Sequence, residues 1–245
     1  AKLYGAFIYA ETLADKKIIL ITNKFWKKNP LDSMLRDHII DIDDSNNNFI
    51  RTLTHCDKDI CLILHTDGGS IDVNDAMVKS ILRFKLFHEI DTYVPYYAFS
   101  AGTELALTGK TIYMGKCAIM GNVDPQIPVE VPEHINTSYQ ADIIINEHHK
   151  ATNLTLLDVC VIGNASKYLQ DSMSGINNIL VKNNYPDEAI NKVINQMCKG
   201  KTTHNTPLDV VDLQNLGLNV VEEMPDYISR IMNELYVYID KFNET

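Results

Sequence analysis

The chain has 245 residues, a mass of 27.7 kDa, 45% hydrophobic residues and a formal net charge of −10 at pH 7. That apolar fraction is enough to bury the core of one domain of ordinary size, while the acidic balance, with no tract of clustered Lys and Arg, argues against a nucleic-acid or anionic-membrane surface. No apolar run approaches the ~18 residues of a membrane-spanning helix, and no signal peptide is visible.

In chain order, Leu3–Tyr9 and Lys17–Thr22 read as strands joined by the polar stretch Glu11–Lys16. Asn29–Arg36 carries a short turn-helix signal. Asp41–Asn48 is acidic and polar and opens a helix toward Leu53, with Asp43, Asp44 and Ser45 as possible N-caps. Ile60–His65 reads as a buried strand. Ser70–Phe84 reads as an amphipathic helix, because Ile71, Ala76, Val78, Ile81 and Leu82 recur at helical spacing. Ile90–Tyr96 is the next strand and Ala101–Leu107 the next helix. Thr111–Met114 and Ala118–Met120 are short strands. The alternation predicts a parallel sheet with crossover helices.

After Pro132 the pattern turns helical. Tyr139–Lys150, Leu154–Lys182, Pro186–Lys199 and Pro207–Leu216 are the expected helices, Val220–Val221 an expected last strand and Pro225–Phe242 an expected last helix. No repeat or low-complexity linker separates the halves, so the expectation is one domain over 1–245 with a helical extension from about residue 139. The scattered cysteines Cys56, Cys61, Cys117, Cys160 and Cys198, without a C-x-x-C pair, read as reduced thiols and favour a cytoplasmic location.

Two of the turns carry chemistry. Gly68 and Gly69 follow the strand Ile60–His65, and their backbone N–H groups can approach a ligand closely. Ser100 follows the strand Ile90–Tyr96 and precedes a helix, at its positive end and near donors suited to an oxyanion. Taken alone, Ser100 also fits a helix N-cap, and the glycines fit a tight turn. A nucleophile and an oxyanion hole at two strand ends form the skeleton of an acyl-transfer site.

The blocks Leu64-His-Thr-Asp-Gly-Gly69, Tyr97-Ala-Phe-Ser-Ala-Gly-Thr103 and Gly121-Asn-Val-Asp-Pro-Gln126 occur in this order along the chain. With them the chain resembles the serine dehydrogenase proteinase branch of the Clp peptidase/crotonase superfamily, a relative of signal peptide peptidase. The likeness extends from Asp41-Ile-Asp-Asp44 to Thr203-His-Asn-Thr-Pro207 and Leu216-Gly-Leu218. Asp67 and Asn122 stand where that branch usually has proline. The resemblance implies an α/β fold of spiral β-β-α units with a helical C-terminal extension. It also implies a serine endopeptidase with Ser100 as nucleophile and the Gly69 and Ala101 N–H groups as oxyanion hole.

Serine needs a neighbour to take its proton. Where Clp peptidases carry a histidine, this chain has Asp124, expected to orient a partner or fix its turn. The lysine spacing of signal peptide peptidases falls on Lys150, which is therefore the expected base, acting through a pKa lowered by desolvation. Lys167, His65 and His204 are rivals for that role, and Gly68, Asp124, His65 and His204 are the expected supporting residues.

Adjacent His148 and His149 point to different sides of a helix, and His88-Glu89 lacks the second histidine of H-E-x-x-H, so no metal site is expected. Without a Walker A run or G-x-G-x-x-G, no nucleotide or other cofactor is expected either. The expected partners are a peptide or protein substrate and further copies of the chain. Membrane association is expected only through a segment upstream of Ala1, as relatives in this branch often have. Two other readings are an inactive paralogue serving as a scaffold or peptide-binding subunit, and a crotonase-type acyl-CoA enzyme using the same oxyanion hole.

Overall fold

A computed structural model of the chain describes residues 2–24, 33–44, 47–131, 135–148 and 154–243. The chain divides into two compact units, Ala1–Met120 with Leu208–Thr245, and Gly121–Pro207.

The first unit is built on six strands: β1 (Lys17–Thr22), β2 (Ile39–Asp41), β3 (Ile60–His65), β4 (Ile90–Val94), β6 (Ile112–Met114) and β10 (Val220–Glu222). Their order across the sheet is β10-β6-β4-β3-β1-β2, and every neighbouring pair is parallel. β3 runs through the middle, and all six of its residues are buried. A continuous apolar run is what a strand covered on both faces requires.

Alternation sorts the β3 and β4 side chains between two faces. Cys61, Ile63 and Tyr93 join Ile18 and Leu20 in one cluster with α1 (Lys2–Ala14) and α9 (Asp226–Asn243). On the other face, the Thr92 hydroxyl donates 2.8 Å to the carbonyl of Ala106 in α4 (Ala101–Leu107). α3 (Ile71–Phe84) contacts both α4 and the short α2 (Asn48–Thr54). A second small parallel pair joins β5 (Tyr97–Ala98) to β7 (Ile119–Met120). Met120 and Leu208 exchange two backbone hydrogen bonds of 2.9 and 2.8 Å, just before α8 (Val210–Asn215).

The parallel α/β sheet is as expected, but its entry differs. Leu3–Tyr9 is helical: Leu3, Ala6, Phe7 and Ala10 are buried at i, i+3, i+4 and i+7 and pack one face on α9. The aromatic and β-branched residues of that segment favour strand locally, and packing overrides the preference. α2 is capped by Asn47, at φ 57°, with the Asp44 carboxylate accepting the Asn48 N–H at 2.6 Å. Asp43 points elsewhere, and Ser45 lies outside the described residues.

The second unit opens with an antiparallel hairpin, β8 (Gln126–Val131) and β9 (Ile135–Gln140), whose register pairs Gln126 with Gln140. The sequence reading missed it because Pro128 and Pro132 interrupt the run, and proline argues against a strand. Among the described residues, four helical segments follow: α5 (Ala141–His148), α6 (Leu156–Lys182), α7 (Asp187–Val193) and a π-helical turn at Ile194–Cys198. α6 starts at a capping box of Thr155 and Asp158. Ile127, Ala141 and Ala165 form a small core with Ile144, Ile145, Val161 and Leu169.

All five cysteines are free, and among the described residues no helix is long and apolar enough to cross a membrane.

Candidate functional site: a strained serine and a buried Asp–His pair

Ser100 sits between β5 and α4 with φ 52° and ψ −119°, a conformation that L residues rarely adopt. Such a position costs on the order of 1–3 kcal/mol and persists only where the surroundings enforce it. Here they do. The Phe99 carbonyl accepts the Gly102 N–H at 2.8 Å, and the Ser100 carbonyl accepts the Glu104 N–H at 3.1 Å. The Thr103 hydroxyl donates 2.7 Å to the Ala98 carbonyl. Gly102 lets α4 close on the end of β3, since a Cβ there would stand 2.4 Å from Thr66 Cγ2. The Ser100 hydroxyl makes no capping hydrogen bond, so the N-cap role its position suggested is not the one it plays. This strand–turn–helix elbow presents a serine hydroxyl much as α/β-hydrolase elbows do, although the full G-x-S-x-G pattern is absent.

The glycine turn lies against this serine. Gly68 has φ 110°, and a Cβ on it would stand 2.8 Å from Ser100 Cβ. A Cβ on Gly69 would stand 2.7 Å from Asp43 Oδ1, the atom that accepts the Ser70 N–H at 2.6 Å. Both glycines are therefore required by close approach. Among the described residues, neither the Gly69 N–H nor the Ala101 N–H donates a hydrogen bond.

Asn23 organises the turn. Its Oδ1 accepts the Thr66 hydroxyl at 2.8 Å and the Asp67 N–H at 2.9 Å, and its Nδ2 donates 2.9 Å to the Gly68 carbonyl. Thr66 Oγ1 in turn accepts the Gly68 N–H at 3.1 Å. A proline at 67 would have no N–H for Asn23 to hold, so Asp67 comes with a different anchor for the same loop.

His65 belongs to the other face of the sheet, with Cys61 and Ile63 and opposite to α4. Its Nε2 is 2.9 Å from Tyr236 Oη on α9, and the rings of Tyr96, Tyr97 and Tyr236 surround it. Burial lowers its pKa, with Asp67 opposing, and its Nδ1 is buried without a partner among the described residues. Among the described residues no hydrogen bond joins His65 to Ser100.

In the second unit, His204 Nδ1 is 2.9 Å from Asp124 Oδ1. Asp124 is 2% exposed, and its Oδ2 accepts 2.8 Å bonds from both Gln126 Nε2 and Gln140 Nε2. Gln140 also donates 2.8 Å to the Thr202 carbonyl. Asn122, the second departure from the branch's prolines, donates 2.9 Å to Thr202 Oγ1 and 3.0 Å to the Thr203 carbonyl. Each buried oxygen of Asp124 thus has a donor, and His204 Nε2 is left without a partner among the described residues. A histidine fixed through Nδ1 by a buried carboxylate is arranged to accept a proton at Nε2.

Lys150 lies outside the described residues, and Lys167 is exposed on α6. The sequence named Asp124 and His204 separately but gave no sign of their pairing. Asn23 it did not single out at all.

A profile of the ClpP-like SDH-type serine proteinases matches residues 35–240. The chain belongs to this family. Two uncharacterized proteins of Methanocaldococcus jannaschii are each 30% identical to it, over 184 and 181 residues, or 75% and 74% of the chain. The chain spans 59% of the length of each of these curated relatives. Among solved structures, a serine-to-alanine mutant of the 1510-N membrane-bound stomatin-specific protease aligns over 88% of this chain and 84% of its own, with a TM-score of 0.49 and 16% identity. Membership makes the fold ClpP-like, in keeping with the parallel sheet, and makes the family chemistry that of a serine-type proteinase.

Proposed function

We propose that this chain is a serine endopeptidase in which Ser100 attacks the scissile carbonyl and the Gly69 and Ala101 N–H groups hold the resulting oxyanion. One observation carries the reading: Ser100 is held in a strained conformation at the start of α4, with Gly68 against its Cβ and its hydroxyl uncommitted among the described residues. Strain of this kind gathers at active sites because the fold must maintain it at a cost. The two backbone donors without acceptors supply the charge stabilisation that an acyl-transfer transition state needs. Water then releases the acyl group from Ser100.

The base is assigned to Lys150, on the resemblance to signal peptide peptidases. A second reading gives the proton to His204, and the 2.9 Å bond from Asp124 favours it. In keeping with the family, we take the working form to be a homo-oligomer acting on peptides; its scattered free cysteines favour a cytoplasmic one, with membrane attachment only through a segment outside this chain. An inactive scaffold and a crotonase-type acyl-CoA enzyme are the competing functions. Reaction of the folded chain with a fluorophosphonate probe tests the proposal. Labelling at Ser100 that is lost in Ser100→Ala supports the peptidase, and no labelling transfers the argument to the scaffold.

A further inference from the structure

A cavity of about 270 Å³ opens between α2 and the first two turns of α3 in the first unit. Its floor is apolar: Phe49 is 1% exposed and Met77 2%, with Val73 and Ala76 alongside. Asp44 and Asp72 also line it, and Asp72 is exposed in the first turn of α3. No described cation pairs with Asp72. The cavity is tied to the catalytic turn by the chain itself, because α3 continues directly from Gly69 and Ser70. Asp43, the neighbour of Asp44, holds the Ser70 N–H at 2.6 Å. The volume falls below the roughly 300 Å³ at which sites for drug-sized ligands begin, so it suits a single side chain.

We propose that this cavity is a subsite for a lysine or arginine side chain of the peptide substrate. The aliphatic stem lies on Phe49 and Met77, and the cationic head stays in partial contact with water at the exposed Asp72, with the buried Asp44 carboxylate, held by Asn48, adding negative charge behind it. Long basic side chains divide in this way between apolar surface and solvent. Charge complementarity selects the occupant: an apolar side chain fills the same floor but gains nothing from the two carboxylates. The inference rests on the peptidase reading of Ser100, and its test is separable from that reading.

The test is binding to the full chain carrying Ser100→Ala, read by fluorescence anisotropy. The probes are two fluorescein-labelled decapeptides of alanine and serine, one with a central arginine and one with a central norleucine. The arginine peptide is expected to bind about tenfold more tightly at low salt. Asp72→Asn, a change at an exposed position, is expected to remove most of that preference, and Ala76→Trp to remove binding at the cavity if the variant folds. Equal binding of the two peptides, a norleucine preference, no binding, or an arginine preference unchanged by Asp72→Asn overturns the subsite. Fluorophosphonate labelling of the wild type is scored in parallel. Labelling without an arginine preference sinks the subsite alone. An arginine preference without labelling sinks the peptidase and upholds the cavity as a site for basic peptides.

Discussion

The regions around Ser100 and Asp124 are made by different means. Around Ser100 the structure is set by backbone: two positive-φ positions, Gly68 and Ser100, and two further glycines whose missing Cβ atoms let segments touch. Around Asp124 it is set by side chains: one buried carboxylate takes hydrogen bonds from His204, Gln126 and Gln140. A backbone site tolerates almost no added atoms, since there is nowhere for them to go. A side-chain network tolerates volume but not the loss of a donor, which leaves a buried charge short of partners.

Substitutions can break or sharpen that contrast. The largest effect is expected from Ser100→Ala, which should lower kcat/KM on a fluorogenic peptide at least ~1,000-fold with unchanged far-UV circular dichroism. Near-normal turnover by the purified variant would remove the nucleophile assignment. Lys150→Ala should match it, and the double variant should be no worse than either single change, as for groups acting as a unit. If Lys150→Ala stays active and His204→Ala does not, the base is the histidine.

Gly68→Ala tests the backbone region directly. The added Cβ meets Ser100 Cβ at 2.8 Å and the position has φ 110°. The variant should lose about 100-fold in kcat and about 2 kcal/mol in urea unfolding. Asp124→Asn probes the other region, where the cost is a disrupted network rather than a clash. A loss of ~1–3 kcal/mol is expected, seen as a lower Tm. A Tm equal to wild type would mean that the four-residue network contributes nothing to folding.

The smallest effect concerns Glu104, one turn beyond Ser100. Burial, with repulsion from Asp75, pushes its carboxyl up to about 7, against a 2.6 Å bond from Asn74 Nδ2 that favours the carboxylate. The folded state therefore keeps a proton that the unfolded chain releases nearer pH 4.5. Stability should fall as pH rises from the unfolded value through about 7. Glu104→Gln should flatten that profile and gain on the order of 1 kcal/mol at pH 8. Denaturant curves at pH 5 and 8 with equal wild-type midpoints would refute it.

The difference between the regions also explains what could be read in advance. Gly68, Gly69 and Ser100 stand out in sequence because small residues placed between apolar runs mark turns, and a turn is a local event. The Asp124–His204 pair joins positions far apart along the chain, so each residue was visible and their bond was not. Asn23 gave no signal, because a lone asparagine after a strand is ordinary. Its role arises from the β1–β3 register, which places Thr22 beside His65 and so brings Asn23 to Thr66. Leu3–Tyr9 misled because its composition and its burial spacing point to different structures, and only contact with α9 decides between them.

The paired hydrogen bonds of Met120 and Leu208 have a topological consequence. The path leaves the six-stranded unit and returns to it at adjacent backbone positions, so Gly121–Pro207 is, in chain topology, one long excursion closed at its neck. The entropy of closing a loop grows only logarithmically with its length, so a neck of this kind accepts excursions of very different size at similar thermodynamic cost. A version in which a two-residue Asn-Gly turn joins Met120 to Leu208 should keep the parallel sheet while losing the Asp124–His204 pair. That makes the segment exchangeable: the scaffold of the serine can be inherited unchanged while the inserted part is lengthened, shortened or replaced.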